Sequence, residues 1–308
     1  KIDKNINWTI PILFNFKSKN KINIKKNYYL SYNNKNVGII KPSSVFKIDK
    51  KLYCKSLFKT NSKKHPSVEQ IYKSKNSYIS GKVFLLKSKI PNDKFFIYNQ
   101  LKNNKQFFKN STVFSTRNIC HLGHQEIHKK ILKKNNNLTI CIIENDKNKY
   151  KIKDIINSYL LLKKNSPIYK NIKIIKIYLP SMFAGPKEAY LQAKLFNNLN
   201  FKSFVVGRDH AGYKKYFSRY SSQIFLNKIK GLNINIVKNK EPLLCNICNK
   251  IGFEDRNFCN CTYQSKKLTI DGTFIRELLF TKNFSKVKKY LNPIIFNYCK
   301  KYINKMRN

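Results

Sequence analysis

Two rhythms of apolar and polar positions run along this chain, and they change over near residue 105. Before it, short alternating runs at Trp8 to Phe14, Tyr28 to Tyr32, Val37 to Ile40, Val45 to Ile48 and Tyr78 to Leu86 are separated by polar turns. That period-two pattern predicts a small β-rich module. From about residue 110, apolar strand candidates at Thr112 to Ser115, Leu138 to Ile143, Ile172 to Leu179, Ser203 to Gly207 and Asn233 to Lys238 alternate with other segments. Helical patterns lie between them at Gln125 to Lys134, Lys153 to Lys163 and Lys187 to Asn197. Near-continuous apolar strands alternating with helices predict an α/β fold with a parallel sheet covered on both faces. Two further helices, Gly272 to Phe280 and Pro293 to Lys305, are expected at the end.

The expected division is therefore 1–107 for the β-rich domain, 108–240 for the catalytic α/β domain, and 241–308 for a cysteine cluster with C-terminal helices. With 308 residues and 42% hydrophobic content, the chain can bury substantial cores. The formal charge of +48 arises from 63 Lys and Arg against 15 Asp and Glu. Those lysines are spread through every segment, together with asparagine, so they read as compositional drift rather than a nucleic-acid stripe. Nucleic acid is accordingly not an expected partner, although such a field attracts anionic substrates. No run of 18 apolar residues predicts a membrane helix. The first residue is Lys1 rather than Met, so a preceding start or targeting segment is expected; without a readable leader, the expected location is cytoplasmic, with organellar targeting left open.

Residues Ser115-Thr116-Arg117-Asn118-Ile119-Cys120-His121-Leu122-Gly123-His124 join a strand to a helix. The first turn of a helix offers unpaired N–H groups and the positive end of its dipole, which suits a phosphate, and Gly123 would let the backbone come close. His121, His124 and Asn118 can donate hydrogen bonds, and Arg117 is a planar fork suited to an oxyanion. A second group, Gly207-Arg208-Asp209-His210-Ala211-Gly212, also follows a strand, so both are expected at one crevice beyond the strand ends. Ala184-Gly185-Pro186 opens a helix, with Arg208 or His210 as the natural pairing partner for Asp209. A nucleoside triphosphate site serving nucleotidyl transfer is the expectation.

Four of the eight cysteines, Cys245, Cys248, Cys259 and Cys261, fall within seventeen residues, and the remaining four are dispersed in apolar surroundings. Four thiolates at this spacing predict a tetrahedral structural Zn²⁺, although the Cys-x-Cys second pair leaves the fourth ligand open; reduced free thiols are the alternative.

Taken in order, these motifs resemble the ATP sulfurylases of the single-chain type, whose pattern is Gln-Thr-Arg-Asn-Pro-x-His-x-x-His, Ala-Gly-Pro, Gly-Arg-Asp-His-Ala-Gly and Ser-Gly-Thr-x-x-Arg. The last has its counterpart in Asp271-Gly272-Thr273-Phe274-Ile275-Arg276, while Trp8 to Ile12, His65-Pro66-Ser67-Val68 and Gly81-Lys82 look like the family's N-terminal domain. The resemblance implies a parallel Rossmann-like nucleotidyltransferase sheet, an N-terminal β-rich PUA-like domain and a small C-terminal helical segment. It implies sulfate adenylyltransferase activity, in which sulfate and ATP give adenosine 5′-phosphosulfate and pyrophosphate, with Mg²⁺ accompanying ATP, in a homo-oligomer.

By position, Thr116, Arg117, Asn118, His121 and His124 would be catalytic. His121, His124, Gly207, Arg208, Asp209 and His210 would bind ATP, and Ser115, Arg117 and Ala211 would bind sulfate. The chain departs from the family at Ser115 (there Gln), Ile119 (there Pro) and Met182 (there often basic), and it lacks the family's opening segment, which would leave the β module short. Two alternatives stand beside this reading: another His-x-Gly-His nucleotidyltransferase, and a catalytically eroded basic zinc-containing RNA-binding protein.

Overall fold

The structure is a computed structural model and describes residues 8–11, 14–16, 22–32, 34–75, 77–86, 105–133, 137–145, 147–261 and 266–306. Ile12 and Lys134, which end two of the expected segments, lie outside the described residues, as do parts of the lysine-rich stretches at 17–26, 102–109 and 129–137. The chain forms two compact units, each assembled from separated stretches of sequence.

The first unit takes residues 1–96, 182–192 and 209–226. Its four-stranded antiparallel sheet has the order β1-β4-β3-β2, from β1 (Phe14–Asn15), β2 (Tyr28–Tyr32), β3 (Lys35–Lys47) and β4 (Ser77–Leu85). The runs at Val37 and Val45 belong to one long strand, whose register shifts between Pro42 and Ser44. Proline has no N–H for a ladder, so an irregularity there is expected.

Two helices interrupt the alternation, α1 (Lys50–Phe58) and α2 (Pro66–Lys73). Each has a side-chain cap: Asp49 accepts from Leu52 N–H, and the His65 ring accepts from Ser67 and Val68 N–H, with Pro66 at the first helical position. Cys54, Leu57, Phe58 and Val68 bury against Ile10 and Ala184 to form this unit's core.

The second unit takes residues 97–181, 193–208 and 227–308. After α3 (Lys105–Lys109) comes a parallel five-stranded sheet of order β7-β6-β5-β8-β9. Its strands are β5 (Ser111–Thr116), β6 (Asn137–Glu144), β7 (Lys173–Tyr178), β8 (Ser203–Val206) and β9 (Asn235–Lys238). Six consecutive residues of β6, Leu138 to Ile143, are buried, as a central strand covered on both faces requires. Helices α4 (Leu122–Leu132) and α5 (Ile152–Asn165) follow β5 and β6. The helix α6 (Pro186–Asn198) precedes β8, and α7 (Ser221–Lys228) precedes β9.

The chain starts on β5, builds β6 and β7 to one side, and then returns to place β8 and β9 on the other. The order therefore reverses between β5 and β8, and the crevice beyond their carboxyl ends is where ligands bind in open α/β sheets.

The cysteine segment folds as a small antiparallel sheet, β11-β10-β12, from β10 (Pro242–Cys245), β11 (Ile251–Phe253) and β12 (Lys267–Thr269). Helices α8 (Gly272–Phe280), α9 (Phe284–Val287) and α10 (Pro293–Met306) complete the unit. Leu278, Leu279, Ile295, Cys299 and Ile303 join Ile140, Tyr159 and Leu162 in one core. A buried Asp154 accepts a hydrogen bond from Tyr298 Oη, tying α5 to α10.

Candidate active site and cysteine cluster

Beyond β5 the chain makes a tight turn held by Thr116, whose Oγ1 accepts the Asn118 N–H at 3.1 Å. Ile119 and Cys120 are buried, and Cys120 N–H donates to Ser158 Oγ at 3.0 Å. Ile119 thus serves as a core residue, with no proline needed to hold the turn.

Helix α4 begins three residues before the apolar pattern predicts, because His121 is its N-cap: the ring Nδ1 accepts the His124 N–H at 3.3 Å. The expectation that Gly123 lets a phosphate approach the backbone is not met. A side chain at Gly123 would meet the His121 ring and Ile270 Cβ at 3.2 Å, so its smallness serves packing inside the protein.

The two rings stack with centroids 3.7 Å apart. His124 Nδ1 lies 3.2 Å from the hydroxyl of the buried Tyr159, and the ring packs edge-on against Phe114. Nε2 of each histidine has no hydrogen-bond partner among the described residues. Burial lowers the His121 pKa to about 4, an effect that Asp271 opposes. Burial, together with the neighbouring His121 and His128, drives His124 well below its ordinary value. Both imidazoles are therefore neutral near pH 7, and each ring can donate one hydrogen bond.

Sequence reasoning did not single out several residues that support this site. His128, one turn further along α4, is fully buried; its Nδ1 meets Tyr169 Oη at 3.2 Å and its Nε2 has no hydrogen-bond partner among the described residues. Arg117 Nη1 donates to Ser181 Oγ, which also accepts from Asn145 Nδ2 at 3.1 Å. Asn118 lies against Gly272, the first residue of α8; a Cβ there would fall 2.6 Å from Asn118 Nδ2. The partly buried Ser115 pairs with Cys141 of β6. An i, i+4 histidine after a His-x-x-His was the one signal available for His128.

Gly207 and Arg208 leave the end of β8, and nothing lies within 4 Å of where a Gly207 side chain would be. Arg208 is held on two sides: Nε is 3.1 Å from the buried Glu241, and Nη2 is 3.2 Å from Asp271. Asp271 also caps α8 by accepting from Thr273 and Phe274 N–H. Ion pairs of Arg208 thus run to Glu241 and Asp271, both distant in the sequence.

The rest of that motif belongs to the first unit. Asp209 and Ala211 adopt left-handed backbone, at φ 48° and 58°. Asp209 N–H donates to Arg219 O, and Ala211 O accepts from Gly185 N–H at 2.9 Å. His210 Nε2 lies 2.8 Å from Gln192 Oε1, and its carbonyl accepts from Ser222 Oγ. In the same unit the buried Glu188 accepts from Met182 and Ala184 N–H, shaping the Ala-Gly-Pro turn that opens α6. His65, fully buried, reaches Phe183 O with its Nε2 at 3.2 Å.

The ligand atoms of Cys245, Cys248, Cys259 and Cys261 lie within 4.8 Å of one another. A tetrahedral Zn²⁺ with bonds near 2.3 Å would hold its sulfurs roughly 3.8 Å apart, so the set fits one ion after slight contraction. N–H groups of Cys248 and Ile247 point at the Cys245 sulfur and lower its pKa to about 6. Lys267 Nζ lies 2.6 Å from Cys259 Sγ and lowers that thiol's pKa too. Cys261 is pushed the other way, up to about 12, by its hydrogen bond to Cys248 and by burial, so it is the close grouping of the four ligand atoms by which they could hold a metal ion.

No helix among the described residues is long and apolar enough to cross a membrane. Residues 99–284 match the ATP-sulfurylase family, and residues 1–88 match a PUA-like domain. The sulfate adenylyltransferase of Hyperthermus butylicus is 26% identical over 290 residues, covering 91% of this chain and 73% of its own length. That of Chloroflexus aurantiacus is 25% identical over 287 residues, covering 88% and 73%.

Among solved structures, a hexameric APS kinase from Thiobacillus denitrificans superposes with a TM-score of 0.65 at 11% identity. The match covers 97% of this chain but only about half of that one, 54%, and it speaks for the fold alone. With the family match spanning well over half its residues and the motif-bearing turns placed beyond β5 and β8, the chain belongs to the ATP-sulfurylase family.

Proposed function

We propose that this protein is a sulfate adenylyltransferase. A sulfate oxygen attacks the α-phosphorus of ATP in line, forming the new O–P bond as the bond to pyrophosphate breaks, and the reaction is reversible. The observation that carries this reading is the placement of Arg117, Asn118, His121 and His124 beyond β5 and of Gly207 and Arg208 beyond β8, on the two strands between which the sheet order reverses. Relatives bearing the name sulfate adenylyltransferase along most of this chain support it.

In this reading no nucleophile on the protein is used. Catalysis comes from positioning and from donors directed at the charge that gathers on the α-phosphoryl group and pyrophosphate. Neutral His121 and His124 each offer an N–H. Arg117 supplies a fixed cation for sulfate and Asn118 an amide. Ser115 and the Ala211 backbone are assigned to sulfate; Gly207, Arg208, Asp209 and His210 are assigned to ATP.

Mg²⁺ accompanies the triphosphate. For the cysteine cluster we propose Zn²⁺, since four thiolates suit a soft tetrahedral ion, and its role is to clip β10 and β11 to the loop before β12. A homo-oligomer belongs to the same proposal.

ATP formation from adenosine 5′-phosphosulfate and pyrophosphate tests the activity directly. Folded, metal-replete protein should produce ATP, and Arg117→Ala and His124→Ala should each lower kcat by at least about 100-fold. A folded preparation that yields no ATP overturns the assignment.

A further inference from the structure

The carboxyl ends of β5, β6 and β7, three neighbouring strands of the parallel sheet, are joined through one hydroxyl. Arg117 follows β5 directly, Asn145 follows β6 directly, and Ser181 comes three residues after β7, all within the second unit. Ser181 is buried, and its Oγ takes a bond from each of the others, from Arg117 Nη1 and from Asn145 Nδ2 at 3.1 Å.

Chemistry fixes the direction of both bonds. A guanidinium can only donate. The Asn145 amide has one possible orientation, because its Oδ1 accepts the Lys147 backbone N–H at 2.9 Å and its nitrogen must then face Ser181. Both lone pairs of the serine oxygen are therefore used, one for each neighbour. The mounting is firm as well: the buried Asn145 donates its backbone N–H to Asn148 Oδ1 at 2.7 Å, and Asn148 Nδ2 reaches Ile143 O at 3.2 Å. Lys147 Nζ donates to Ser181 O at 3.0 Å, tying the loop after β7 to the loop after β6.

We propose that Ser181 is a positioning residue for Arg117, itself oriented by Asn145, and that the two fix the guanidinium fork before an oxyanion arrives. A long side chain fixed in advance loses little freedom on binding, so the hold acts first on affinity for the anion. This deepens the proposed sulfate adenylyltransferase reading and rests on it for the identity of that anion, sulfate or the sulfate end of adenosine 5′-phosphosulfate. The hold itself is independent of any substrate.

The test uses full-length protein labelled with ¹⁵N at arginine and side-chain ¹H–¹⁵N correlation in the cold, with the Arg117 signals identified by their absence from Arg117→Lys protein. A held guanidinium gives separate Nη1 and Nη2 signals, and a freely rotating one gives an average. Arg117 should give separate signals in the unmodified protein and averaged ones in Ser181→Ala. A single averaged signal in the unmodified protein overturns the proposal, whether or not the protein is active and whether or not any variant folds. An unchanged Arg117 spectrum in Ser181→Ala also overturns it.

In kinetics, Ser181→Ala should raise the KM for sulfate and for adenosine 5′-phosphosulfate about 10-fold, with the ATP and pyrophosphate KM values within about twofold. Ser181→Thr, which keeps the hydroxyl, should return the sulfate KM to within about threefold of the unmodified protein. A Ser181→Ala protein with reduced kcat and every KM unchanged would mark a merely structural serine and refute the positioning role.

Discussion

At the residue scale, the site depends on small groups that leave room for large ones. Gly272 is the clearest example, because the space its side chain would fill is taken by the Asn118 amide, 2.6 Å from the position of a Cβ. Alanine suits the first turn of a helix, and Asn118 is a short side chain that can swing away, so Gly272→Ala should leave the melting temperature within a few degrees. The displaced amide should cost catalysis instead, with kcat down at least about 10-fold. Unchanged kcat, measured in the pyrophosphate-dependent direction, would remove Asn118 from the reacting centre.

Ser115 is the complementary case, being shorter than the glutamine it replaces in the family. Ser115→Gln should lower the sulfate KM, by no more than the worth of one hydrogen bond to a charged group, about 1.5–3 kcal/mol. A sulfate KM that does not move would take Ser115 out of the sulfate site.

At the scale of elements, the strands and helices of the parallel sheet were legible because burial on both faces writes long apolar runs; Leu138 to Ile143 is read almost residue for residue as β6. The ends were less legible, as at α4, where the His121 side chain starts the helix before any apolar residue does. Helices α1 and α2 escaped the alternation because their buried positions, Cys54, Leu57, Phe58 and Val68, are few. The partners of Arg208 were invisible for a different reason: Glu241 and Asp271 lie 33 and 63 residues away, and no local pattern encodes such a pairing.

The small sheet β10 to β12 was hidden by its short strands, although its cysteines were plain. Because thiolate–metal bonds would contribute folding energy directly, purified protein should carry about one Zn²⁺ per chain by elemental analysis. Cys248→Ser should lower that occupancy and the melting temperature by about 5 °C or more. Full-length protein that is folded and metal-free after purification in zinc-containing medium would reject the zinc assignment.

At the scale of the whole molecule, three imidazoles cluster at the start of α4, the buried His121 and His128 and the half-buried His124, and a single pH response follows from them. Burial lowers His128 to about 3 and His121 to about 4, and the rings of His124 and His128 lie 6.2 Å apart. In the unfolded chain each histidine titrates near 6.5. Between the folded and unfolded values, roughly pH 4 to 6.5, the unfolded state binds more protons, so acid favours unfolding. Stability from keeping these rings neutral is present above pH 6.5 and is lost as pH falls through that window. One histidine held neutral at pH 5 implies a loss of about 2 kcal/mol relative to pH 8.

Carboxylates also respond to acid, so the decisive measurement is a difference between two proteins. His128→Gln keeps a polar group beside Tyr169 without a titrating ring, and His128 is not among the groups assigned to substrate. Its melting temperature should fall less between pH 8 and pH 5 than that of the unmodified protein, by about 4–8 °C. Parallel curves would show that His128 is protonated equally in both states, contrary to its burial.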